Sequence, residues 1–203
     1  MAPTYGEWKI DFSEYVNYSR LNIIMLLSSC FETYLRTVVS LSFESKPGVI
    51  INCQDAVDGA ALLKRDIMYG NMNDKAYRFG ELIEEVCRGE WTNRFYAFQK
   101  YFGKLPSKLL DLAKDLDELR VTRNNLGHYF GRRKDEYSAP IDFEPIETIR
   151  ISHERILKYF KLIYAAAKMI DDYLHKNIIG SYDIIKKYFY SLSNGEILTD
   201  PYN

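Results

Sequence analysis

Apolar residues recur at three- and four-residue spacing along most of the chain, the signature of helices with one buried face. Val16, Ile23, Ile24, Leu27, Phe31, Tyr34, Leu35, Val38 and Leu41 carry this rhythm through a first long helix. Ser13 can cap its start, and Lys46-Pro47-Gly48 ends it. Residues 1–12, with Pro3 and Gly6, read as a loose arm. A second helix is predicted over 55–69, stopped by Gly70, and a third from a cap at Asn73 to Gly89, with Gly80 inside it. Thr92 caps a short aromatic helix, Phe95 to Phe102, closed by Gly103.

Pro106 at a first-turn position opens a further helix. Leu109, Leu112, Leu116, Leu119, Leu126 and Phe130 keep the rhythm, predicting one helix over 107–130. Gly131, Pro140 and Pro145 make 131–150 a predicted loop, with a short extended piece around Ile149. Ser152 caps the last long helix, whose predicted buried stripe is Ile156, Phe160, Ile163, Tyr164, Ala167, Ile170 and Leu174. Gly180 ends it, and Ser181 starts a final aromatic helix to about Leu192. Strand signals are scarce, and the chain shows no repeat or linker. The pattern predicts an all-α fold, a helical bundle with appended short helices, with 13–203 forming one domain.

Composition narrows the class. At 203 residues, 47% hydrophobic and 27% charged, the chain is long enough for one well-buried core. Its 17 Tyr and 11 Phe are expected mostly inside, because large rings bury the most apolar area. A net charge of -1 means that binding to a polyanion has to come from a local cluster rather than a global field. Cys30, Cys53 and Cys87 are too few and too scattered for a disulfide framework or a zinc site, which fits a reducing cytoplasm. No signal peptide is recognisable, and the most apolar run, Ile23 to Leu27, is too short to span a bilayer. No membrane partner is expected.

The candidate chemistry sits on the 107–130 helix. Its apolar rhythm jumps from Leu119 to Leu126, and the position passed over is Arg123. An unpaired buried guanidinium is costly, so Arg123 must meet an acid, line a wet cleft or face a partner. Asn124 and His128 are four apart and nearly in register. Arg123 and His128, five apart, diverge by roughly 140° about an ideal helix axis. Gly127 costs about 1 kcal/mol relative to alanine and is useful where another backbone must approach beside His128. Two copies of this helix crossing at a two-fold axis would bring two Arg/His pairs into one cleft. RNA is cleaved without metal when its 2′-OH attacks the adjacent phosphate, a step needing a base, an acid and positive charge. Histidine suits the proton transfers and arginine the phosphate oxygens.

The run Arg123-Asn124, three residues, then His128 resembles the Arg-Asn-x-x-x-His signature of the HEPN superfamily of helical ribonucleases. Asp117-Glu118-Leu119-Arg120, Tyr129-Phe130-Gly131-Arg132 and the early Phe31-Glu32-Thr33-Tyr34-Leu35 are similar to its context. The resemblance implies a HEPN-like helical bundle that dimerises through the 107–130 helix and cuts single-stranded RNA to a 2′,3′-cyclic phosphate end without metal or cofactor. It implies Arg123 and His128 as the essential pair with Asn124 supporting, and a toxin or antiviral-defence role, with an antitoxin or regulatory partner. Members controlled by a nucleotidyltransferase antitoxin carry a tyrosine two residues after the histidine; here Phe130 has no hydroxyl, so that modification is not expected.

Arg120, Arg132, Arg133 and Lys134 cluster near the motif and could hold the RNA backbone; equally, Asp135 and Glu136 offset a solvated loop. In the competing reading Arg123 pairs with an acid such as Glu32 and His128 caps the helix end. His153 and His175 are expected at the surface or at helix ends. Asp111, Asp115, Asp117 and Glu118 read as a wet helix face rather than a metal site. The alternative function is a non-catalytic HEPN-like module binding RNA, a nucleotide or a protein partner.

Overall fold

The computed structural model describes residues 4–51, 59–60, 63, 79–129 and 148–195. The fold is all-α, and no strand occurs among the described residues. In chain order the helices are α1 (Tyr5–Ser45), α2 (Gly80–Cys87), α3 (Trp91–Phe102), α4 (Ser107–Leu110), α5 (Ala113–Tyr129), α6 (His153–Leu174) and α7 (Tyr182–Ser193). A 3-10 turn (Pro47–Ile51) follows α1 and a π-type turn (His175–Ile179) follows α6. Most of the helix predicted over 55–69, the start of the one predicted from Asn73, the loop over 131–147 and Cys53 lie outside the described residues.

The chain divides into two compact units, Met1–Thr33 with Asp111–Ala167, and Tyr34–Leu110 with Lys168–Asn203. α1 and α6 each contribute to both. In the first unit Leu21, Ile24 and Phe31 of α1, Leu116, Leu119 and Leu126 of α5, and Ile156, Tyr159, Leu162 and Ala166 of α6 are buried. The second unit is an aromatic core. Phe43 packs against Phe79, Tyr101 and Phe102 at centroid distances of 5.3, 5.4 and 4.8 Å. Gly103, at φ 91° in a region closed to other residues, ends α3, and the Tyr173 hydroxyl beside it donates to the Phe102 carbonyl at 2.7 Å.

Several local expectations shift. α1 starts at Tyr5, not after Ser13, so 5–12 is helix and not a loose arm. Thr4 and Glu7 form a capping box: the Glu7 carboxylate accepts from Thr4 N–H at 2.6 Å, and Glu7 N–H donates to Thr4 Oγ1 at 3.3 Å. The helix predicted over 107–130 is broken by a turn at Asp111 and Leu112, where the chain passes from one unit to the other. The inner stripe of α6 is rotated: Phe160 and Tyr164 are exposed and Tyr159 is wholly buried instead. On α1, Ile23 is exposed. By length and composition α1 is also long and apolar enough to cross a membrane, because no charge falls between Arg20 and Glu32. An uninterrupted-run criterion misses this, since Asn22, Ser28 and Ser29 break the run without adding charge.

Other expectations hold. α1 ends before Lys46-Pro47-Gly48, and the Ser152 hydroxyl accepts from Arg155 N–H at 3.2 Å, capping α6. α7 starts after Ser181, and His153 and His175 are exposed at element starts.

A polar lock joins α5 to α6. The buried Tyr159 hydroxyl donates to Glu118 Oε1 at 3.0 Å, Arg155 bonds the same oxygen at 2.8 Å, and Lys158 pairs with Asp115 at 3.0 Å. The hydroxyl of Tyr159, and after it Arg155 and Lys158, hold the Glu118 carboxyl below its ordinary value of 4.5. A lowered folded-state value contributes stability that is present above the unfolded value and lost as pH falls through the folded one. Tyr159→Phe is expected to cost roughly 1–2 kcal/mol at neutral pH. Urea titrations across the acid range should show the gap to wild type narrowing below pH 4.5; a gap independent of pH would mean the bond does not depend on ionised Glu118.

Candidate functional site

α5 is regular helix through the motif, so its residues keep ideal angular relations. Arg123 lies on its inner side, and its guanidinium reaches α1: Nη2 donates to Glu32 Oε2 at 3.1 Å. Nη1 donates to Asn124 Oδ1 at 3.2 Å. The acid named for the competing reading is therefore the one that Arg123 meets. The pair is not sunk in the interior, however, since the two side chains are 32% and 36% exposed. Two of five guanidinium donors are used; Nε is buried with no hydrogen-bond partner among the described residues. An orphaned buried donor costs about 1–3 kcal/mol, and the Glu32 and Asn124 contacts orient the head without making up that penalty.

His128 is exposed in the last turn of α5. The carbonyl end of a helix carries partial negative charge, so an anion bound there depends on cationic side chains. Within one chain, Arg123, Asn124 and Glu32 are brought together. Arg123 and His128 are not made to converge by their shared helix, whose geometry leaves roughly 140° between them.

The remaining predicted residues divide. Arg120 is on α5 but its Nε donates to Asp117 at 2.8 Å, and the two side chains are 24% and 26% exposed. It is a paired, half-buried cation. Arg132, Arg133, Lys134 and Phe130 lie outside the described residues. The acids read as a wet face are largely engaged: Asp115 with Lys158, Asp117 with Arg120 and Glu118 with Arg155.

Two positioning residues escaped the sequence reading, Arg155 and Tyr159. They fasten α5 through Glu118, and the Tyr159 hydroxyl also lies 3.4 Å from Thr122 Oγ1, one residue before Arg123. The available signal was Tyr159 beside Phe160, a ring with a polar handle competing with one without.

No family model matches the chain, and neither a curated protein nor a solved structure matches it.

Gly127 has a plainer setting than its sequence suggests. A Cβ built there meets only Met25 Cε, at 3.6 Å, an ordinary contact. Within the single chain nothing described requires glycine. Gly127→Ala is therefore expected to raise the stability of the monomeric chain by roughly 0.5–1 kcal/mol through helix propensity. The urea midpoint measured at low protein concentration checks this; a fall would mean that the methyl meets atoms beyond Met25.

Proposed function

We propose that this chain is a HEPN-like helical domain acting as a metal-independent endoribonuclease on single-stranded RNA, as a cytoplasmic homodimer in a toxin or antiviral-defence role. The observation that carries the reading is Arg123-Asn124-x-x-x-His128 on the accessible last turns of α5, with the Arg123 head oriented by Glu32 and Asn124. An ion pair exposed to this degree is worth about 0–1 kcal/mol, so a phosphate offering two oxygens can displace Glu32 at little cost.

In the proposed reaction His128 of one copy takes the proton of the RNA 2′-hydroxyl as its oxygen attacks the adjacent phosphorus. The bond to the 5′-oxygen breaks, and the second copy's His128 protonates that leaving oxygen. Arg123 from each copy holds the charge that builds on the phosphorane. The products are a 2′,3′-cyclic phosphate and a 5′-hydroxyl. One motif supplies one histidine at an angle to its arginine, which is why the reading requires a two-fold partner through α5. An antitoxin or regulatory partner belongs to the proposal, without modification at Phe130.

The Arg123–Glu32 pair also favours a second reading, a non-catalytic HEPN-like module that binds RNA, a nucleotide or a protein partner, with Arg123 serving to hold α5 on α1. Cleavage of labelled single-stranded RNA in EDTA separates the two. The ribonuclease reading expects cutting by wild type, and loss of at least about 100-fold in rate for His128→Ala and for Arg123→Ala with helical content retained. Undiminished cutting by either variant rejects the site; binding without turnover by wild type selects the second reading.

A further inference from the structure

The first turns of α1 leave a row of rings in solvent. Tyr5, Trp8 and Phe12 stack on one side of the helix, with centroids 6.2 and 5.3 Å apart and ring planes within 24° and 11°. They are 79%, 52% and 52% exposed. Phe12 also walls a cavity of about 350 Å³ that takes in Lys9, Arg20 and Arg150 together with the buried Asn17 and Ile151. Asn17 fixes the opposite wall: its Nδ2 donates to Ile149 O at 3.1 Å, and its Oδ1 accepts from Ile151 N–H at 3.1 Å.

Two of the three cations in this cleft have no carboxylate partner among the described residues. Arg150 is paired with Glu14. Arg20 gives one N–H to the Ile151 carbonyl at 3.2 Å and has no carboxylate partner among the described residues. Lys9 makes neither a hydrogen bond nor an ion pair among them. A larger cavity in the second unit, about 490 Å³, is different: its Arg36 and Lys186 are paired with Glu84 and Glu44.

We propose that the cleft between the start of α1 and the Arg150–Ile151 segment is a docking site for single-stranded nucleic acid. Phosphates sit at Lys9 and Arg20, and bases extend the row of rings from its Phe12 end, with Trp8 backing Phe12. Flat exposed rings beside uncancelled cations hold a single strand without reading its sequence. A lipid surface also attracts Trp, Tyr and Lys, but Arg20 and Arg150 line a concave cleft, which a flexible strand can enter and a flat layer of headgroups cannot. The site lies outside the Arg123–Asn124–His128 motif, and it rests on the ribonuclease reading only for the strand being RNA.

His128→Ala protein keeps the probe intact, and a fluorescein-labelled oligouridylate of about 12 nucleotides spans such a site. Of the two tryptophans Trp91 is buried, so quenching on binding reports on Trp8. Expected are salt-sensitive binding with quenching, and roughly tenfold weaker affinity for Trp8→Ala and for Lys9→Gln, the latter with a shallower salt slope. Unchanged affinity in both variants overturns the proposal, as does absence of RNA binding alongside a blue shift of Trp8 emission on phosphatidylcholine–phosphatidylserine vesicles. Cleavage by wild type with affinity unmoved by the two variants sinks this site and leaves the ribonuclease standing. Variant-sensitive binding by a protein that never cuts RNA does the reverse.

Discussion

A guanidinium on the inward stripe of a helix sets the terms for the first unit. Arg123 occupies a position that the flanking Leu119 and Leu126 mark as interior, yet a buried cation without an acid would cost several kcal/mol. The fold resolves this with one carboxylate from α1, Glu32, and with enough solvent to keep the pair half-exposed. That compromise leaves the guanidinium oriented without being locked away. A deeper pair would be a strut and nothing else; a bare arginine would wander among rotamers. The intermediate exposure is what makes a cation available at a fixed place.

Holding α5 at the right rotation is a separate problem, and α6 solves it. Tyr159 is buried to the last atom, but its hydroxyl is not an orphan because Glu118 accepts it, and Arg155 and Lys158 neutralise that carboxylate from the solvent side. The Tyr159 hydroxyl and the Glu118 carboxylate are both partnered, which is the condition under which buried polar contacts specify geometry instead of weakening it. Thr122, next to Arg123 in the chain, lies against the same hydroxyl. The orientation of the motif is thus coupled to a network on the opposite side of α5 from Glu32.

Much of the fold was legible because helices with one apolar face announce themselves by spacing. The helical class, the stops at Pro47, Gly103 and Gly180 and the Ser152 cap all follow from local rules. The misses have physical causes. Pro3 and Gly6 suggested an arm, while Thr4 and Glu7, at capping-box spacing across them, carried the stronger signal. No glycine or proline marks the turn at Asp111, since the break comes from the change of unit. The stripe on α6 was misplaced because hydrophobicity ranks Phe160 above Tyr159, and only the distant Glu118 reverses that order. For the candidate site, Arg123, Asn124 and Glu32 could be singled out from the chain alone. That Arg120 would be spent on Asp117 could not, because i, i+3 pairing competes with solvent by margins of tenths of a kcal/mol. Nor could the cleft at Lys9, Arg20 and Arg150, since Arg150 lies more than a hundred residues beyond the other two.

α1 takes part in both units. Its inner face supplies Leu21, Ile24 and Phe31 to the core of the first unit and Phe43 to the aromatic core of the second, while only 28% of its most apolar window is buried. Its other faces are not so used: Leu26 and Tyr18 remain 64% and 65% exposed. α1 also presents Glu32 to the motif on α5. Any second molecule drawn to that side would therefore press on the element that orients Arg123. Glu32 and the exposed Tyr18 and Leu26 lie on one continuous helix, with no loop between them.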